Sequence, residues 1–302
     1  QKVINNQSLN PFRQKRVLIS GGAGFVGSHL AEKLVTVCSQ VISLDNYISG
    51  RKSSHIEGVN YVDGDVNDIL DIFRLEEFDF IFHFGEYSRV EQSLSEPHLA
   101  ISNIYKSFAS LLEFWRVSGA KLIYSGSSTK FANNGEGRHL SPYTAAKALN
   151  SELLIDYAKW YNLPYATAYF YNVYGGRELR EGKYSTVIGK FKELRSNGVT
   201  RLPVTLPGTQ RRNFTHIDDI VAGILLAAGN GIGDGYGIGA NESYSIIDVC
   251  ELFGCKPDFQ PPSAANRMDG ELCTDKIKEL GWKQTRYLDL EIRSFLQLVE
   301  KK

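Results

Sequence analysis

Short apolar runs alternate with amphipathic stretches over the first 174 residues. Arg16-Val17-Leu18-Ile19-Ser20 reads as a strand, and residues 25–37 carry apolar positions at helical spacing. Apolar runs recur at 41–44 and 59–62, and helical spacing follows at Ile69, Leu70, Ile72 and Phe73. Residues 78–84 are almost continuously apolar, as expected of a strand covered on both faces. Residues 97–117 predict one long helix stopped by Gly119, 121–125 a strand, 143–161 a second long helix and 166–171 a further strand. This βαβα rhythm predicts an α/β fold of Rossmann type, built on a doubly wound parallel sheet.

The rhythm breaks after Tyr174. Helices are predicted over 186–196 and 218–228, with short strands near Pro203 and Pro207. The expected organisation is a dinucleotide-binding domain over 1–174 and a smaller α/β substrate-binding region over 175–302. Within the latter, residues 213–240 are expected to return and pack on the first domain.

Composition narrows the range of partners. At 302 residues, 42% hydrophobic and 23% charged, the chain has the make-up of a soluble globular protein. A formal net charge of zero builds in no attraction to nucleic acid or anionic membrane, and no apolar run reaches spanning length. Residues 1–13 are polar and hold no apolar signal core. The four cysteines (Cys38, Cys250, Cys255, Cys273) show neither a CxxC pair nor zinc spacing. We expect a cytoplasmic protein with reduced thiols, no metal, no nucleic-acid partner and no membrane.

Between the first strand and the first helix stands Gly21-Gly22-Ala23-Gly24-Phe25-Val26-Gly27. Gly21 suits a turn with positive φ, Gly24 a close approach of pyrophosphate, and Gly27 close packing of helix on strand. The helix N-terminus behind it offers unpaired N–H groups to phosphate. The next apolar run ends in Asp45, whose carboxylate suits ribose hydroxyls and repels a 2′-phosphate. The spacing therefore predicts an NAD site rather than an NADP site.

Ser141-Pro142-Tyr143-Thr144-Ala145-Ala146-Lys147 is the second chemical stretch. Ser141 suits an N-cap and Pro142 the first helical position. Tyr143 and Lys147 then share a helical face. An ammonium one turn away favours the phenolate, which makes Tyr143 a candidate general base. The strand before it ends in Ser125-Gly126-Ser127-Ser128-Thr129, where a hydroxyl can bond a reacting oxygen. Strand C-terminal ends are where ligands sit in such sheets. His83, at the end of a buried strand, reads as a packed imidazole. Asp218 and Asp219 read as a helix start rather than a metal site, and Arg211 or Arg212 as a diphosphate contact.

With these residues in view, the chain resembles the extended short-chain dehydrogenase/reductase family, in its nucleotide-sugar epimerase/dehydratase branch. The resemblance runs over almost the whole chain. Residues 21–27 are similar to that family's glycine motif, which assigns Gly21, Gly24, Phe25, Val26 and Gly27 to the cofactor. It assigns Asp45 and Asn46 to ribose and adenine, Asp65 and Val66 to the adenine ring, and Asn103 to the helix behind the active site. Ser127, Tyr143 and Lys147 match the catalytic serine/threonine, tyrosine and lysine, with Tyr143 and Lys147 also touching the cofactor. Asn172, Arg212 and Arg267 match residues that hold the nucleotide sugar. The helices over 97–117 and 143–161 are similar to a pair that forms a dimer interface, which implies a homodimer.

The chain departs from the family pattern at several places. Glu86 replaces a small residue two positions beyond Phe84, either facing the nicotinamide or facing solvent. Gly176 replaces a proline, Asn213 an aspartate, and Lys130-Phe131-Ala132 replaces Val-Tyr-Gly. A 4,6-dehydratase of this family carries Asp-Glu after the catalytic hydroxyl, where this chain has Ser128 and Thr129. The resemblance thus implies an NAD-dependent epimerase, acting at C4 of a nucleotide-diphosphate hexose. The alternatives are a nucleotide-sugar dehydrogenase or reductase, a 4,6-dehydratase, and a non-catalytic dinucleotide-binding regulator.

Overall fold

The computed structural model describes residues 6–128, 137–182, 184–262 and 273–301. Its core is a sheet of β1 (Arg16–Ser20), β2 (Gln40–Asp45), β3 (Asn60–Asp63), β4 (Phe80–His83), β5 (Lys121–Gly126), β6 (Tyr165–Phe170) and β7 (Gly233–Ile238). The strand order is β7-β6-β5-β4-β1-β2-β3, and every neighbouring pair is parallel. This is the Rossmann-type, doubly wound α/β fold that the alternating pattern predicts.

Both faces of the sheet are covered, which is why its strands are apolar on both sides. On one face lie α1 (Phe25–Leu34) and a later helix, Ile217–Asn230, packed on Val17, Ile19, Phe82 and Ile123. The 3₁₀ segment Asn6–Phe12 closes that layer with Leu9 and Phe12. On the other face, Phe108, Leu111, Trp115 and Leu154 meet Leu18, Ile81 and Leu122. A separate core of Ile188, Phe191, Leu202, Val204, Val249, Phe253, Leu288 and Ile292 forms beyond the sheet. It is built around the parallel pair Arg201–Thr205 and Lys256–Gln260. Among the described residues no helix is long and apolar enough to cross a membrane.

The helix expected over 97–117 is interrupted. It runs as Pro97–Ile101, a π-helical turn at Ser102–Lys106, and α2 (Ser107–Ser118), closed by Gly119 at φ 65°. The cause is local: Asn103 Nδ2 donates to the Leu99 carbonyl at 2.9 Å and Ser107 Oγ donates to the Asn103 carbonyl at 2.5 Å. Side chains bonding into the helical ladder loosen it at that turn. The second long helix, α3 (Pro142–Tyr161), starts as the sequence predicts. Ser141 Oγ accepts from Thr144 N at 3.2 Å and Thr144 Oγ1 accepts from Ser141 N at 2.9 Å, a reciprocal cap.

Candidate active site

The order of the sheet reverses between β1 and β4, so the helices that follow these strands leave on opposite faces. A crevice opens at their carboxyl ends, as in other doubly wound sheets. Here it is a cleft of about 620 Å³. Gly21, Gly24, Phe25, Val26, Gly27, Asp45 and Asn46 all line it.

The glycine loop is as tight as its sequence implies. Gly21 has φ +77°, and a Cβ there would stand 2.8 Å from Gly85 N. A Cβ on Gly27 would stand 2.1 Å from the Gly21 carbonyl oxygen, so helix and turn touch through hydrogen alone. The N-cap of α1 is Gly24, with no side-chain capping bond. Among the described residues no side chain accepts from the first-turn N–H groups of α1, and Phe25, Val26 and Gly27 stand on the cleft wall. This cradle fits a pyrophosphate.

Asp45 is buried at the end of β2. Its Oδ2 accepts from Ala23 N and its Oδ1 from Tyr47 N, each at 2.9 Å. It ties the glycine loop to the loop after β2, and each oxygen keeps a lone pair for a ribose hydroxyl. Burial pushes its pKa up, against the two main-chain bonds. Asp65 and Val66 stand off the cleft wall. Asp65 accepts from Asn46 Nδ2 and from Asn67 N, both at 2.8 Å, and so positions Asn46; Val66 is packed into the core.

Ser127 and Tyr143 share the cleft with the glycine loop, and Ser127 is buried at the end of β5. Tyr143 sits in the first turn of α3, its N–H donating to Ser93 Oγ at 3.3 Å. One turn further, Lys147 is buried behind this wall. Its Nζ donates to the Ser125 carbonyl at 2.5 Å and lies 4.3 Å from the centre of the Tyr124 ring.

The nearest anion to Lys147 is Glu86, which turns inward rather than to solvent. The two form a close ion pair in which each side chain is 5% exposed. Glu86 also lies 3.3 Å from His83 Nε2, accepts from Asn150 Nδ2 at 3.2 Å and from the Tyr124 hydroxyl at 3.3 Å. Burial alone would raise its pKa, but the Lys147 ammonium and His83 outweigh it and hold the carboxyl below its usual range. His83 is itself packed and bonded, with Nδ1 2.6 Å from Ser20 Oγ.

The residues expected on the substrate are scattered. Asn172 lines the cleft with φ 41° and donates from Nδ2 to the Asn213 carbonyl at 3.2 Å. Arg212 is off the wall of this cleft, its Nη1 on the Arg211 carbonyl at 2.8 Å. Arg211 is taken up by Ser243 and Asp248. Arg267, the residues around it, and Thr129 to Ala132 lie outside the described residues. Asn103 lines the cleft from the π-helical turn. One wall residue, Arg89, carried no signal in the sequence beyond its place in the loop after a strand end.

The pattern of the NAD dependent epimerase/dehydratase family matches residues 17–239. The chain belongs to that family. NAD is its cofactor, and its relatives are nucleotide-sugar epimerases, dehydratases and decarboxylases. A putative UDP-glucose 4-epimerase from Methanocaldococcus jannaschii is 25% identical over 88% of this chain and 92% of that one. A trifunctional UDP-glucose 4,6-dehydratase, epimerase and reductase from Arabidopsis thaliana is 28% identical over 90% of this chain. The chain spans only 45% of the length of that plant relative. Among solved structures, UDP-glucose 4-epimerase of Thermotoga maritima with UDP-glucose superposes with a TM-score of 0.85 at 25% identity, covering 95% of this chain and 99% of that one.

Proposed function

We propose that this protein is an NAD-dependent nucleotide-sugar epimerase acting at C4 of a nucleotide-diphosphate hexose. The observation that carries the reading is the shared cleft: Ser127 and Tyr143 face the same space as the glycine loop, with Lys147 one helical turn behind Tyr143. In this reading residues 1–174 hold the dinucleotide and 175–302 cover the sugar nucleotide, with Asn172, Arg212 and Arg267 as its contacts.

Bound NAD supplies an acceptor for hydride from the sugar carbon and a donor for its return. The chain's own residues do the rest. Asp45 and Asn46 hold the adenosine ribose, and the first turn of α1 holds the pyrophosphate. Tyr143 takes the proton from the sugar hydroxyl and gives it back. Ser127 donates to the oxygen as carbonyl character develops. Lys147, one turn behind Tyr143 and held by Glu86 and the Ser125 carbonyl, favours the phenolate of Tyr143 through its charge. The cleft, at about 620 Å³, would give a ketosugar room to turn over and present its other face.

A dehydratase needs an acid beyond these groups to expel water. Ser128, next to Ser127 on the cleft wall, carries no carboxyl. That favours epimerisation over elimination. A net dehydrogenase would use the same three residues but consume cofactor. The test is Tyr143→Phe. We expect turnover to vanish while NAD remains bound, read by product assay and by nucleotide released on denaturation. Undiminished turnover contradicts the mechanism.

A further inference from the structure

Two cations stand near the reacting end of the cleft, and they are treated differently. Lys147 has its charge met by Glu86. Arg89 does not. Its Nε donates to the Tyr184 carbonyl at 3.1 Å, one Nη2 N–H goes to the same carbonyl, and one Nη1 N–H goes to the Ser88 carbonyl at 3.1 Å. These acceptors are neutral. A guanidinium carries five N–H donors, so one on each Nη is left over. No carboxylate of the described residues is ion-paired with it. Of the acids on the cleft wall, Asp45 accepts from main-chain N–H groups, Glu86 is committed to Lys147, and Glu91 is exposed.

The ionisable groups that face Arg89 are the hydroxyls of Tyr143, Tyr184 and Tyr87, and burial presses its pKa down. Buried charges in proteins are as a rule paired, because removing an ion from water is costly. A guanidinium half-buried on a ligand cleft, with donors remaining on both terminal nitrogens, matches a planar carboxylate in bidentate fashion. Arg89 is bonded to Tyr184, which packs with Tyr143 on one cluster, so its guanidinium stands on the Tyr143 side of the cleft, where a carboxylate on the sugar would lie.

We propose that Arg89 binds a carboxylate on the sugar itself, so that the substrate is a nucleotide-diphosphate hexuronate rather than a neutral hexose. The inference rests on the nucleotide-sugar reading above and narrows it. Arg89 is a binding residue; the chemistry stays with Tyr143.

The test compares matched pairs that differ only in the acid group: UDP-glucose with UDP-glucuronate, and GDP-mannose with GDP-mannuronate. Binding to the NAD-loaded protein is measured by calorimetry, with UDP and GDP alone as controls. We expect the acid of at least one pair to bind about tenfold more tightly or better, the scale of a charge-assisted bond. Arg89→Gln should bring that ratio to about one while leaving affinity for the nucleotide alone unchanged, and Arg89→Lys should restore part of it. Retained NAD shows that each variant is folded. Equal affinity for acid and neutral sugars overturns the inference and leaves the epimerase reading standing. So does a loss in Arg89→Gln that falls equally on the nucleotide alone, which would make diphosphate the anion. Failure of every nucleotide sugar to bind overturns the functional reading as well.

Discussion

Glu86 is the residue at which this chain differs most from the pattern it otherwise follows. A small side chain there would leave Lys147 to act on Tyr143 unopposed. Instead a buried carboxylate fixes the ammonium and offsets its charge, with His83, Tyr124 and Asn150 completing its bonds. Glu86→Gln keeps the volume and removes the charge. Two effects should follow. Stability should fall by about 3 kcal/mol or more, because Lys147 becomes an unpaired buried charge. Turnover should fall as well, because the ammonium behind Tyr143 is no longer held in place. Turnover unchanged in a folded variant would reduce Glu86 to a packing role. The sequence shows that an acid stands at 86, but not that it turns inward. That depends on where Lys147 and His83 stand, from residues brought together by the sheet. Arg89 is harder still to read, since a lone arginine has no spacing partner.

At the scale of elements the pattern of apolar positions was far more legible. β1 to β6, α1 and α3 follow from period and capping residues, because strands buried on both faces and helices with an apolar stripe leave plain signatures. The π-helical turn at Ser102–Lys106 left none, since it arises from side-chain bonds within a stretch whose spacing is helical throughout. α1 also carries a pH-sensitive group. His29 is buried, with Nδ1 2.9 Å from the Phe25 carbonyl oxygen. Burial, reinforced by Arg177 and opposed by Glu32 and Asp218, lowers its pKa from 6.5 to about 4. The unfolded chain therefore binds the proton more readily between these values. The contribution of His29 to stability is complete above pH 6.5 and is lost as pH falls toward 4. It amounts to at most about 3 kcal/mol. Denaturant unfolding measured across that window should show the decline, and His29→Gln should flatten it. An identical slope in both proteins would mean that His29 is not the group responsible.

For the molecule as a whole, the helices Pro97–Ile101 and Pro142–Tyr161 expose Ile101 (47%), Leu149 (46%) and Trp160 (62%). Exposed apolar side chains on this pair suit the dimer interface that the family resemblance implies. We expect a homodimer by light scattering at micromolar concentration; a monomer there would count against it. In the proposed reaction, hydride leaves a sugar carbon inside one cleft and returns to it. The most direct measurement uses a nucleotide sugar deuterated at C4, incubated with the purified NAD-loaded protein in ordinary water and followed by proton NMR. The account predicts the C4 epimer with deuterium retained at C4 and no net reduction of the cofactor. Deuterium lost to solvent, a dehydrated sugar, or reduced nicotinamide accumulating with product would contradict it.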